Sequence, residues 1–190
     1  TGANGQLGHE MRNALKGNNR FECIFTDVAE LDICNAEAVK QIIADNHIDY
    51  IVNCAAYTQV DKAEDNAELC KKINTDAVEN LARAAADYGA RMIHISTDYV
   101  FNGRGYRPYT EDMVPDPQSV YGSTKLEGEK ILTDICPESI IIRTAWLYSP
   151  YGNNFVKTML HLGEEREELS VVADQIGTPT CAADLAQAIL

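Results

Sequence analysis

Positive charge is scarce in this 190-residue chain: 16 Lys and Arg stand against 29 Asp and Glu, a formal net charge of −13. No dense Lys/Arg cluster offsets the deficit locally. This argues against a general nucleic-acid surface or an anionic-membrane surface, while an anionic small ligand still needs only a local pocket. No apolar run approaches the roughly 18 residues of a membrane span, and no signal-peptide pattern opens the chain. The four histidines, His9, His47, His94 and His161, show no metal-ligand spacing, so no metal ligand is assigned. Cysteines 23, 34, 54, 70, 136 and 181 include no Cys-x-x-Cys pair, and several lie in apolar runs such as Ile51 to Ala56. They read as reduced, mostly buried thiols of a cytoplasmic protein. Internal repeats and low-complexity segments are absent, and the charge run Glu164 to Glu168 reads as a solvated helix end.

A 45% hydrophobic and 24% charged composition suits one well-buried domain plus part of a second. Strand-like and helix-like runs alternate, the signature of βαβ units around a doubly wound parallel sheet. Strands are expected at Phe21 to Asp27, Asp49 to Ala56, Met92 to Ser96 and Ser139 to Trp146. Asn35 is placed to cap a helix carrying Val39, Ile42 and Ile43. Asn74 to Tyr88 forms another, with Gly89 as its left-handed cap. A loop rich in Gly, Pro and Tyr spans Asn102 to Ser119, before a helix from Tyr121 to about Ile135. A glycine-rich turn normally follows a buried strand, so a first strand is expected ahead of Thr1. The helical pattern from Ala182 to Leu190 meets no stop signal, so a partial chain is expected.

That turn, Gly2-Ala3-Asn4-Gly5-Gln6-Leu7-Gly8, has the pattern G-x-x-G-x-x-G, in which glycines let a pyrophosphate approach a helix N-terminus. Three glycines also make an ordinary turn. Asp27 ends the next strand 19 residues after Gly8, near the spacing at which an acid meets an adenosine ribose, although a plain strand-end polar residue reads equally well. Tyr121 and Lys125 lie four apart on one helical face, about 6 Å apart at Cβ. An ammonium there is expected to lower the phenol pKa towards working pH, fitting it to exchange a proton with a carbonyl or alcohol. Ser96-Thr97-Asp98 leaves a strand 24 residues before Tyr121, with Thr97 suitably placed to bind the reacting oxygen. Small residues at Asn53-Cys54-Ala55-Ala56 permit close approach of a ribose or nicotinamide. Together these features suggest hydride chemistry.

The same residues, with the blocks Ala55 to Glu64, Ser96 to Gly103, Arg143 to Tyr148 and Asp174 to Thr180, resemble the extended short-chain dehydrogenase/reductase family. Within it they are similar to the branch that reduces dTDP-linked 4-keto-6-deoxysugars. The resemblance implies an α/β fold, a Rossmann-type doubly wound parallel sheet over residues 1–148. A smaller, partly missing substrate-binding region would begin in 149–190, which also holds a returning helix. It implies reduction of dTDP-4-dehydro-L-rhamnose to dTDP-L-rhamnose with NADPH or NADH. By matching positions, Tyr121 would give the proton, Lys125 would tune Tyr121 and hold the nicotinamide ribose, and Thr97 would bond the same oxygen. Cofactor contacts would come from Gly2, Asn4, Gly5, Gln6, Leu7, Gly8, Asp32, Ile33, Cys54, Ala55, Ala56, Tyr57, Tyr121 and Lys125. Sugar contacts would come from Thr58, Val60, Thr97, Asp98, Tyr99, Tyr121 and Trp146, and Asn74 matches a helix-start asparagine that supports the site. Trp146 also reads as a core aromatic. The resemblance allows a homodimer through helices and, in some members, magnesium at the dimer contact, whose ligands find no place here. Two alternatives stay open: a related sugar-nucleotide epimerase or dehydratase, and a non-catalytic NADP-binding regulatory subunit like the methionine adenosyltransferase beta subunit.

Overall fold

Alternate residues along neighbouring strands sort into two cores. In the computed structural model, which describes residues 1–190, β1 (Tyr50–Asn53), β2 (Arg91–Thr97) and β3 (Ile140–Thr144) form a parallel sheet in that order. Ile51, Met92 and Ile141 meet Val39, Ile43, Val78, Leu81 and Leu132, so one face of the sheet is covered by α2 (Ala36–Asp45), α5 (Ala77–Tyr88) and α6 (Val120–Ile135). Val52, Ile95 and Ile142 point the other way, onto Leu7 and Met11 of α1 (Gln6–Ala14) and Leu185 and Ala186 of α8 (Ala182–Ile189). Helices on both faces of a parallel sheet are the doubly wound arrangement. Each fully buried Leu contributes about 1.5–3 kcal/mol.

Local chemistry sets the element ends. The Asn35 side chain accepts from Ala38 N at 3.2 Å at the start of α2, and Ser119 accepts from Gly122 N at 3.1 Å at the start of α6. Gly89 ends α5 with φ 73°, a conformation that costs other residues about 1 kcal/mol or more. The helix-start reading of Asn74 is corrected: α3 (Val60–Asp65) and α4 (Ala67–Lys71) come first, and Asn74 lies in a π-helical turn, Lys72–Asp76, leading into α5. The fourth expected strand is cut short at Thr144. Trp146 takes φ 50° and breaks it from β4 (Leu147–Tyr148), which pairs in parallel with β5 (Thr180–Cys181) after α7 (Phe155–Glu165).

Phe21 to Asp27 is the other correction. The segment belongs to no sheet ladder. Residues of the glycine turn lie between it and β1, with Ala3 N donating to Thr26 O at 3.0 Å and Cys54 N to Thr1 O at 3.3 Å. Further along, Phe21 to Thr26 and Tyr50 to Val52 both line an apolar trench of about 760 Å³. The thiols also depart from expectation: all six are free, but only Cys70 and Cys136 are buried, and Cys23 is exposed. No helix is long and apolar enough to cross a membrane.

Candidate active site

The carboxyl ends of the parallel strands, the N-terminus of α1 and the first two turns of α6 converge. Gly2 has φ 66°, and a Cβ there would sit 2.6 Å from Ala55 N. A Cβ on Gly8 would strike Gly2 O and Ala3 Cα. Only glycine permits this approach of the turn to α1 and to Ala55. Gly5 precedes α1 without any side-chain cap, and the first turn of α1 carries no acid. Its free N–H groups and dipole form a cradle for an anion, so the residues present fit a dinucleotide pyrophosphate. Asn4 N donates to Asp27 Oδ2 at 2.8 Å and Val28 N to Oδ1 at 2.9 Å, which anchors the Asp27 carboxylate beside the turn.

Other candidates at this end contribute less through their side chains. Leu7 and Ile33 are buried in the two cores, and Ile33 O accepts from Asn80 Nδ2 at 3.1 Å. Gln6 bonds Leu147 O and Asn154, and Asp32 accepts from Cys34 N in the turn before α2. Burial pushes the Cys54 thiol up to about 11, so it stays protonated. Asn74 holds Tyr57 from both sides, accepting from Tyr57 N at 2.9 Å and donating to Tyr57 O at 3.1 Å, and so fixes the stretch from Ala55 through Tyr57.

On α6, Tyr121, Lys125 and Glu129 recur every four residues on the buried face. Burial pushes the Tyr121 phenol up to about 12, although a hydroxyl contact from Thr97 pulls the other way. The expectation that Lys125 lowers it is not met. Nζ donates to Ile95 O at 2.7 Å and stands 3.2 Å from His94 Nε2, its head directed to the end of β2. Burial brings Lys125 itself down to about 8, against the opposing charges of Glu129, Cys70 and Cys54. Tyr121 is thus held protonated, the form a proton donor needs. Thr97 bonds Asp98 Oδ1 at 3.3 Å and accepts from Tyr99 N at 3.2 Å. Burial raises the Asp98 carboxyl, with Thr97 and backbone hydrogen bonds opposing. The Tyr99 ring meets Tyr121 edge-on at 5.5 Å.

Thr58, Val60, Asp98, Tyr99 and Trp146, expected at a sugar site, line one pocket of about 410 Å³. Leu147, Tyr148, Phe155, Val156 and Pro179 complete it. Trp146 is 40% exposed, so the core-aromatic reading fails. Its positive φ is the kind of strain that clusters at functional sites, and it packs edge-on against Phe155 at 5.3 Å.

Sequence reasoning passed over Asn53 as a polar group, His94, and the pair Glu129 and Arg143. The last had a signal, an arginine inside the apolar run Ile140 to Thr144 and a glutamate two turns beyond Tyr121. Arg143 meets Glu129 at 2.6 Å, with side chains 25% and 4% exposed. Removing the charge from one partner strands the other. Glu129→Gln should lower the unfolding free energy by about 2–3 kcal/mol, read from urea midpoints. A midpoint equal to that of the parent would show that the pair contributes nothing.

The glycine cradle, the anchored acid and the Thr97-Tyr121-Lys125 set define a dinucleotide-binding α/β domain of the short-chain dehydrogenase/reductase kind. The family described as RmlD substrate binding domain matches residues 1–190, and the chain belongs to that family. It is 45% identical over 190 residues to the dTDP-4-dehydrorhamnose reductase of Aggregatibacter actinomycetemcomitans, covering 100% of this chain and 65% of that protein. The crystal structure of a dTDP-4-dehydrorhamnose reductase from Clostridium acetobutylicum matches with a TM-score of 0.95 and 51% identity, covering 99% of this chain and 66% of that one. One from Bacillus anthracis, solved in complex with NADP, matches with a TM-score of 0.95 and 45% identity over the same shares. The chain thus spans just under two thirds of the length of these relatives, 65 to 66%.

Proposed function

We propose that this chain is the dinucleotide-binding part of an NADPH- or NADH-dependent reductase that converts dTDP-4-dehydro-L-rhamnose to dTDP-L-rhamnose. The observation that carries the reading is the meeting of a proton-donor set with a glycine cradle beside a pocket lined by Thr58, Val60, Asp98, Tyr99 and Trp146. The likeness to reductases named for this substrate, one of them holding NADP, supports it.

The cradle at Gly2, Gly5 and Gly8 would hold the pyrophosphate, Asp27 a ribose hydroxyl, and Cys54 to Tyr57 with Lys125 the nicotinamide end. The nicotinamide cofactor, when bound, supplies hydride. Thr97 positions the sugar C4 oxygen by a hydrogen bond, and Tyr121 gives that oxygen its phenolic proton as negative charge develops. Tyr99 and Trp146 offer apolar faces to the 6-deoxysugar and exclude water from the reacting carbon. A cytoplasmic setting, where sugar nucleotides and reduced thiols occur, belongs to the same proposal. So does pairing through exposed helix faces. No three His, Cys, Asp or Glu side chains of the chain come together as a metal cage, and magnesium at a contact between two copies is assigned no ligand.

Full-length protein mixed with dTDP-4-dehydro-L-rhamnose should oxidise NADPH or NADH in one-to-one proportion to the dTDP-L-rhamnose formed, followed by absorbance and chromatography. Dinucleotide binding without consumption would reject the reductase and leave the regulatory alternative standing.

A further inference from the structure

His94 is 0% exposed and is not among the groups assigned above to the reaction. It sits between Asn53 on β1, its neighbour across the parallel ladder, and Lys125 on α6. Its Nδ1 is 3.1 Å from Asn53 Nδ2 and its Nε2 is 3.2 Å from Lys125 Nζ. Counting protons assigns every role. The Ala55 backbone N–H can only donate, and it reaches Asn53 Oδ1 at 3.1 Å. Thr1 Oγ1 donates to the same oxygen at 2.7 Å. With its oxygen committed, Asn53 presents amide hydrogens to His94, so Nδ1 must accept. A neutral imidazole with a bare Nδ1 carries its proton on Nε2. That N–H points at Lys125 Nζ, which already donates to Ile95 O at 2.7 Å. An ammonium has three donors and no acceptor. Only the neutral amine can receive the Nε2 proton in a hydrogen bond.

We propose that Asn53 and His94 form a tautomer lock on Lys125: Asn53 keeps the His94 proton on Nε2, and His94 thereby favours the neutral amine of Lys125 over its ammonium. Both are positioning residues acting through Lys125, and their catalytic relevance rests on the reductase reading of that lysine. The groups facing Lys125 divide into two camps. Glu129 on α6, Cys70 on α4 and Cys54 after β1 favour the ammonium, while burial opposes it. His94 adds a fixed donor to the opposing side, and burial, then the charge of Lys125, pushes His94 well below its ordinary value, keeping it neutral. Tyr121, one turn away, stays protonated below about 12. The lock therefore adjusts the midpoint at which the site gains a positive charge.

Nuclear magnetic resonance of the full-length protein tests this without any turnover. Long-range proton–nitrogen correlations should show His94 with a bare Nδ1 and a protonated Nε2. The Lys125 midpoint, followed at Cε and Nζ, should rise by about one unit in His94→Gln, a tenfold change in the amine-to-ammonium ratio, because a carboxamide can turn its oxygen to the ammonium. It should rise also in Asn53→Asp, whose carboxylate draws the proton to Nδ1 and leaves Nε2 to accept. A protonated Nδ1 in the parent overturns the proposal, and so does a Lys125 midpoint that stays or falls in the folded variants. Should neither variant fold, the parent tautomer alone decides. If the lock holds and the reductase assay fails, the fault lies in the functional reading.

Discussion

Tyr121→Phe should cut turnover by about 10³-fold, within the range that a positioned proton donor contributes, while dinucleotide affinity stays at the parent level. The substitution removes one oxygen and keeps the ring that packs edge-on against Tyr99 at 5.5 Å, so stability should barely change. Burial holds this phenol at about 12, and it is therefore fully protonated at neutral pH and ready to give its proton. Steady-state kinetics with dTDP-4-dehydro-L-rhamnose, alongside fluorescence titration of NADPH and NADH, separates chemistry from binding. Turnover within tenfold of the parent would mean that another group supplies the proton.

Gly128→Ala should destabilise the fold and slow the reaction, although helix propensity alone argues for the opposite sign. In the middle of α6, alanine is better than glycine by about 1 kcal/mol. Here the new methyl group would run into the backbone carbonyl of Asn74, which cannot rotate away as a side-chain end could. Overpacking of this kind costs about 1–3 kcal/mol net, and relieving it means moving α6 away from the π-helical turn. Gly122 makes a similar approach to Tyr99 O, so the helix bearing Tyr121 is seated at two backbone contacts. A shift near 1 Å at the reacting groups costs about 10²-fold in rate. Gly163→Ala in α7 is the control, because nothing lies within 4 Å of the added carbon, and it should stabilise by up to about 1 kcal/mol. Urea midpoints for both and turnover for Gly128→Ala give the outcome. Equal stabilisation by the two substitutions would show that α6 is not held this closely.

Much of this architecture is legible in the sequence because its signals are local. Asn35, Gly89 and the apolar spacing of α2 and α5 act within a few residues of themselves, and α2 starts at the expected cap while α5 ends at the expected glycine. Sheet formation is not local. Phe21 to Asp27 has the side chains of a strand, but a ladder also requires a partner backbone alongside. The pocket of Thr58, Tyr99 and Trp146 was readable only through resemblance, since nothing in their spacing joins them. The Tyr121 phenol departs from expectation for a related reason. A helical wheel places Lys125 near Tyr121, but it says nothing of Ile95 O and His94, which arrive from a strand and take the ammonium's place as partners. The polar residues of the sheet, Asn53, His94 and Arg143, look like interruptions of apolar runs until the facing helix is known.

The π-helical turn at Lys72–Asp76 lets one continuous rod address two audiences. One residue of an α-helix corresponds to about 100° of rotation, and the wider turn absorbs an extra residue between α4 and α5. The stripe before it and the stripe after it are thereby out of phase. Cys70 keeps company with Ala63 and Tyr121, whereas Ala77, Val78, Leu81 and Ala85 belong to the large core. Deleting a single residue here would restore a regular helix and rotate the two stripes onto one bearing, leaving either the start of α6 or the sheet without its counterpart.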